Sequence, residues 1–204
     1  MNRINYQSET ERIIAQLATE NRKEKLLLHA CCAPCSSYVL EYLTAFFDIT
    51  VFYCNPNITD KEEYDHRLAE LYKLCDRAPF CKDVQIVDDG YSQNIFFDAA
   101  KGLEGEPEGG RRCDRCFTLR LSRTADYAKE NSFPLFATTL TVSPHKNAAL
   151  INEIGFSESK RSGVPYLPSD FKKKGGYQRS IVLSREYDLY RQQFCGCDFS
   201  KHDL

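Results

Sequence analysis

Along its length the chain alternates short apolar, β-branched runs with amphipathic stretches of helical period, and no other feature restricts its fold as much. Residues 25–29, 49–53, 84–87 and 135–139 read as strands. Residues 164–167 read as a fifth, edge-like strand, because Pro165 cannot donate to a ladder. Helices fall between them. Ser8 and Glu11 have capping-box spacing ahead of Ile13, Ile14 and Leu17, and Pro34 suits the first turn of a helix reaching Phe46. Thr59 with Glu62 predicts another cap, opening a helix that carries Tyr64, Leu68, Leu71 and Tyr72. Further helices are expected over 91–101, 113–129, 146–154 and 177–192, and the glycine-rich stretch 102–110 is the clearest loop. Strands separated by helices in this rhythm specify βαβ units. The expected architecture is a single α/β domain over residues 25–204, a parallel sheet with helices on both faces. An N-terminal helical extension, residues 1–24, precedes it and is assigned no function.

Sites on such a sheet form outside the carboxyl ends of the strands, where strand order reverses. The loop after the first strand reads His29-Ala30-Cys31-Cys32-Ala33-Pro34-Cys35. It contains neither G-x-G-x-x-G nor a Walker pattern, so a phosphate-cradling nest is not supported. Cysteines stand where a nucleotide-binding loop would have glycines.

Cysteine is also the compositional outlier, with ten residues against one Met and no Trp. At 204 residues the chain is too long for a disulfide-stapled mini-domain. Residues 1–25 have no apolar signal-peptide core, and no apolar run approaches the roughly 18 residues of a membrane span. A cytoplasmic protein without membrane contact is therefore expected, with thiols reduced unless they hold metal or do redox work. Three compact groups stand out: Cys31-Cys32-x-x-Cys35, Cys113-x-x-Cys116 at a helix start, and Cys195-Gly196-Cys197. Cysteines three apart at a helix N-terminus can point two sulfurs at one metal, and the helix dipole favours thiolate. Metal ligation by at least four of these residues is expected, with Cys31, Cys32, Cys113 and Cys116 as the set. Adjacent cysteines fit poorly on one tetrahedral ion if their side chains diverge, which favours a 4Fe–4S cluster over zinc. A C-x-C pair can close a strained, labile disulfide, so Cys195 and Cys197 are candidates for a redox pair; further metal ligation and a bystander role stay open. Cys35 is undecided, as a ligand to an additional iron or to none. Cys54, Cys75 and Cys81 are isolated and read as ordinary residues, Cys75 as a core position.

The net charge of −2 and an isoelectric point near 6.1 argue against broad phosphate neutralisation. Charge is clustered, however. Arg111, Arg112, Arg115, Arg120 and Arg123 surround the second cysteine pair, and Lys172, Lys173 and Lys174 precede two glycines. Either patch could be a solvated face or a hold on nucleic acid.

From His29 to Ser36 the sequence resembles the QueH-type epoxyqueuosine reductases of tRNA queuosine synthesis. Similar segments follow in the family's order: Phe52-Tyr53-x-Asn55-Pro56-Asn57-Ile58, Glu62-Glu63-Tyr64 with Arg67, and Gly109-Gly110-Arg111-Arg112-Cys113-x-x-Cys116-Phe117. Thr138-Thr139-Leu140, Ser143-Pro144-His145-Lys146 and Tyr190-Arg191-Gln192-x-Phe194-Cys195-Gly196-Cys197 complete the series. The resemblance implies a Rossmann-like fold related to the adenine-nucleotide hydrolases, and reduction of the epoxide of epoxyqueuosine at the wobble position of tRNA. It implies cluster ligands at Cys31, Cys32, Cys113 and Cys116, a redox-active disulfide between Cys195 and Cys197, and an unidentified electron donor. Members differ at the position of Cys35. Opening the epoxide requires help for the departing oxygen, and Asp114 and His145 are acid candidates, each with a structural role as the alternative. Two rival classes compete with this reading: a zinc-stapled RNA-binding module without catalysis, and a thiolation enzyme, which would require the absent ATP loop.

Overall fold

The computed structural model describes residues 4–20 and 22–203. Four strands, β1 (Glu24–His29), β2 (Phe47–Tyr53), β3 (Gln85–Asp88) and β4 (Phe136–Thr138), form one sheet in the order β3-β2-β1-β4. Every pairing is parallel, and β1 registers Leu27 against Phe136 and His29 against Phe52 and Thr138. The seven helices are α1 (Tyr6–Thr19), α2 (Ala33–Leu43), α3 (Lys61–Arg77), α4 (Gln93–Ala100), α5 (Arg111–Glu130), α6 (Ala148–Ser162) and α7 (Gly176–Glu186).

The period-2 alternation of strand side chains divides the core. Leu26, Leu28, Ile49, Val51 and Tyr53 pack with α1, α2 and α3 on one face. Leu27, Phe52 and Phe136 pack with Ala125 and Ala128 of α5 on the other. Both faces are therefore covered, as a parallel sheet requires. Ile14 and Leu17 of α1 join the larger core, and Thr10 donates a hydrogen bond to the Pro168 carbonyl at 2.6 Å.

Several local expectations are corrected. The first helix begins at Tyr6 with Asn5 as N-cap, so Ser8 lies inside it and caps nothing. Asp60, not Thr59, caps α3, its carboxylate accepting from the amides of Glu62 and Glu63, because the helix starts one residue later than the spacing predicts. The expected fifth strand is a single parallel bridge between Phe136 and Tyr166, flanked by hydrogen bonds to the Pro165 carbonyl and from the Leu167 amide. The last helix stops at Glu186, and residues 187–197 form an irregular tail bound to α3: Glu70 accepts from the Tyr190 amide and Arg77 donates to the Tyr187 carbonyl. No helix among the described residues is long and apolar enough to cross a membrane.

Candidate active site

Strand order reverses beside β1, between its neighbour β2 and the late strand β4. The loops leaving β1 and β4 meet there: the Cys31 amide donates to Thr139 Oγ1 at 3.4 Å, and the Cys31 sulfur lies 3.7 Å from that hydroxyl. The chain bends at Cys31, and Cys32, in extended conformation, is the N-cap of α2. Pro34 occupies the first turn, where its missing N–H leaves no helix bond unmade.

This geometry brings Cys31, Cys32 and Cys35 together, their sulfurs all within 4.8 Å of one another and those of Cys31 and Cys32 only 3.6 Å apart. The expected divergence of adjacent cysteines does not occur, because the bend replaces strand alternation. Cys35, undecided in the sequence, joins the pair from the first turn of α2. Hydrogen bonds from Cys32 and then Cys35 hold the Cys31 thiol well below its usual range, helped by the charges of Lys146 and Arg120. Its partners move the other way: the Cys32 thiol, donating to Cys31, is pushed up to about 11, and the Cys35 thiol is also raised. The trio is thus a set of close sulfurs, one of them biased toward ionisation, that can hold a metal ion.

Cys113 and Cys116 project from the first turns of α5 and face the C-terminal tail; burial raises both thiols, that of Cys116 to about 12. Cys116 and Cys197 pack with Phe96 and Ala100 in a small apolar cluster. The tail is held by α3 and the loop before it. Arg67, paired with Glu63 at 2.6 Å, donates to the carbonyls of Cys195 (3.1 Å) and Phe194 (3.2 Å), and its guanidinium lies over the Phe194 ring. The Thr59 amide donates to the Gly196 carbonyl. Gly196 has φ +120°, and a Cβ there would meet Ile58 at 3.0 Å and Arg67 at 3.2 Å, so only glycine allows this close turn between the two cysteines. All ten cysteines carry free thiols in this conformation.

A cavity of about 290 Å³ opens over these groups, with Cys31, Cys35 and Cys195 in its wall beside Asn55, Arg120 and Lys146. Cys195 also lines a smaller apolar pocket with Cys113, Cys116 and Cys197, so it stands between the two sulfur groups. Burial works against the charge of Lys146, yet the sulfurs of Cys195, Cys31 and Cys35 outweigh it and hold the ammonium above its ordinary range. His29 is fully buried and neutral, pushed down to about 3 by burial first and then by Arg120. Its Nδ1 lies 2.9 Å from Thr138 Oγ1; its Nε2 faces both the Cys54 carbonyl (3.1 Å) and Arg120 Nε (3.3 Å), only one of which a neutral ring can satisfy.

Of the acid candidates, the exposed His145 lines the cavity, whereas Asp114 lines neither space. Cys54 is buried as expected. Cys81 lies in the larger core and Cys75 packs half-buried against it, and Cys81 holds the Cys75 thiol below its ordinary range. The basic patches are engaged within the chain: Arg111 with Glu106 (2.6 Å), Arg123 with Asp89 (2.7 Å), Lys172 with Asp170 (3.2 Å) and Lys174 with Glu11 (2.5 Å). Arg112 is buried and donates to carbonyls of the glycine-rich loop, fixing its course. The site residues missed in the sequence are Arg120, Lys146 and Arg67. A signal existed for Arg120, which lies one helical turn after Cys116 and so shares its face.

Fold and site together define a parallel α/β protein whose switch-point cavity is lined by thiols. The profile of the family described as "Epoxyqueuosine reductase QueH" matches residues 26–203. Epoxyqueuosine reductase QueH of Streptococcus pyogenes serotype M1 is 45% identical over 97% of this chain and 78% of its own length. The protein of that name from Staphylococcus epidermidis is 43% identical (97% and 85%), and that from Thermotoga maritima 35% (86% and 89%). The chain belongs to the QueH family.

Proposed function

We propose that this chain, like the relatives that carry the name, is an epoxyqueuosine reductase, acting as an iron–sulfur enzyme on epoxyqueuosine at the wobble position of tRNA. The catalytic unit is residues 25–204, with residues 1–24 as a helical extension, and the site of action is cytoplasmic. The observation that carries the reading is the position of Cys195, in the cavity wall and between Cys31 and Cys35 on one side and Cys113 and Cys116 on the other.

Three thiols fit a metal centre: the sulfurs of Cys31, Cys32 and Cys35 lie within 4.8 Å of one another, and Lys146 and Arg120 supply positive charge beside them. Cys31, Cys32, Cys113 and Cys116 are the proposed ligands of a 4Fe–4S cluster, with Cys35 available to an additional iron. When bound, a cluster supplies electrons one at a time. Removing the epoxide oxygen as water requires two electrons and two protons. The dithiol of Cys195 and Cys197 supplies both: two C–O bonds break, an alkene and water form, and the sulfurs close a disulfide. An external donor of two electrons and two protons then restores the dithiol. Lys146, facing Cys195 across the cavity, is placed to bind the departing oxygen.

A second reading, zinc on Cys31, Cys32 and Cys35, is favoured by one observation. Zinc–sulfur bonds of about 2.3 Å set sulfurs roughly 3.8 Å apart in a tetrahedral site, close to the 3.6 Å seen here. The deciding experiment is iron, zinc and acid-labile sulfide analysis of anaerobically purified protein, with an assay on epoxyqueuosine-containing tRNA. Brown protein with about four irons and four sulfides that yields queuosine supports the reading. Colourless, inactive protein with one zinc overturns it.

A further inference from the structure

Arg120 is the largest fully buried side chain of the described residues, at 1% exposure. Its guanidinium reaches neutral partners: Nη2 donates to Asn55 Oδ1 at 2.5 Å, and Nε faces His29 Nε2 at 3.3 Å. Among the described residues no carboxylate stands within ion-pair distance of it. An uncompensated buried charge is strongly unfavourable, so native structures supply an anion. The two other buried arginines are differently served: Arg67 is paired with Glu63 at 2.6 Å, and Arg112 donates to three backbone carbonyls of the glycine-rich loop. The groups left to balance Arg120 are sulfurs. It lines the cavity with Cys31 and Cys195, and the charges of Cys116, Cys31 and Cys195 hold its guanidinium above its ordinary range against the cost of burial.

We propose that Arg120 is the resident counter-cation of the sulfur site, a positioning residue whose fixed charge, aimed by Asn55 and His29, stabilises bound thiolates and the more negative redox state of whatever metal they hold. Binding metal adds thiolate charge beside the guanidinium, and reduction adds one electron more. A fixed cation favours both, and an arginine does so at any working pH because it does not deprotonate. The inference assumes that these thiols bind metal but not which metal they bind.

The test compares wild type with Arg120→Gln, Arg120→Lys, Asn55→Asp and Asn55→Ala. Metal-free, reduced protein is titrated with cobalt(II) and followed by thiolate-to-cobalt absorption. Arg120→Gln should bind cobalt at least tenfold more weakly, with Arg120→Lys within about threefold of wild type. Asn55→Asp leaves the arginine in place but sets a carboxylate against it; it should weaken cobalt binding well beyond Asn55→Ala, and it keeps the test open if Arg120→Gln fails to fold. In protein reconstituted with iron and sulfide, the oxidised-to-reduced ratio of Arg120→Gln at fixed potential should rise at least tenfold, a midpoint about 59 mV more negative for a one-electron couple. Equal losses in Arg120→Lys and Arg120→Gln, or wild-type affinity in Asn55→Asp, would overturn the proposal. Because cobalt reports on the thiolates alone, wild type that assembles no cluster but shows these cobalt differences sinks the iron–sulfur reading and leaves Arg120 standing.

Discussion

The cysteines of the β1 loop and those of the C-terminal tail are positioned by different means. Cys31, Cys32 and Cys35 sit where β1 passes into α2, so their positions follow from sheet register, a bend and a helix start, all supported by the core. Cys195 and Cys197 lie on an irregular tail held by Arg67, Thr59 and the fit of one glycine. The contrast teaches a division suited to the proposed roles. A metal site requires ligands fixed before the metal arrives, whereas a redox pair must approach substrate, close a disulfide and be reopened.

The sharpest way to break the comparison is at the cysteines. Replacing Cys113 or Cys116 with Ser should remove the metal and activity together. Cys195→Ser should keep iron within experimental error of wild type while queuosine formation falls to background; equal iron loss in both would show that the tail cysteine is a ligand like the others. Next in size is the scaffold: Leu27→Ala, at a site with no exposure under α5, should cost about 2–5 kcal/mol in denaturant unfolding and loosen the β1 group with it. Arg67→Ala should act on the tail instead. It leaves Glu63 without its cation, the Phe194 carbonyl without a donor and the Cys195 carbonyl with only the 3.4 Å bond from Asn57 Nδ2, costing about 3 kcal/mol of local stability, visible as faster exchange and proteolysis near residue 195, with metal retained. Gly196→Ala should have a smaller effect of the same kind, about 1–3 kcal/mol of backbone strain.

The mildest test uses pH. His29 is buried neutral, its pKa lowered from 6.5 to about 3, so the unfolded chain binds the proton more readily. Its contribution is complete above pH 6.5 and is lost as pH falls toward 3, at up to about 1.4 kcal/mol per pH unit. Metal-free protein should thus lose stability between pH 6.5 and 4 in urea titrations, and His29→Gln should flatten that loss. An unchanged slope in the variant would place the acid sensitivity elsewhere.

Much of this was legible without coordinates. Apolar runs marked the inner strands β1 and β2 because a parallel strand covered on both faces must be largely apolar, Ile86 and Val87 marked the edge strand β3, and cysteine spacing marked the site because residues three apart share a helix face. Signals failed where partners are distant in sequence. Ser8 and Thr59 have the right spacing for caps, but Asn5 and Asp60 occupy the positions where the helices start. Residues 187–192 continue a helical pattern, yet contacts with α3 draw them into the tail. Arg120 looked like one arginine of a surface patch, and only the packing of α5 on the sheet turns it inward toward His29 and Asn55.

The sequence alone determined the α/β class, the loop that would carry chemistry and the residue type that would do it, because periodicity and spacing are local properties of a chain. Tertiary structure decided which cysteines meet, that Cys195 stands between the cysteines of the β1 loop and those of α5, and that two cations are carried in beside them. Those facts depend on contacts between residues scores of positions apart, formed only once a common core has closed around them.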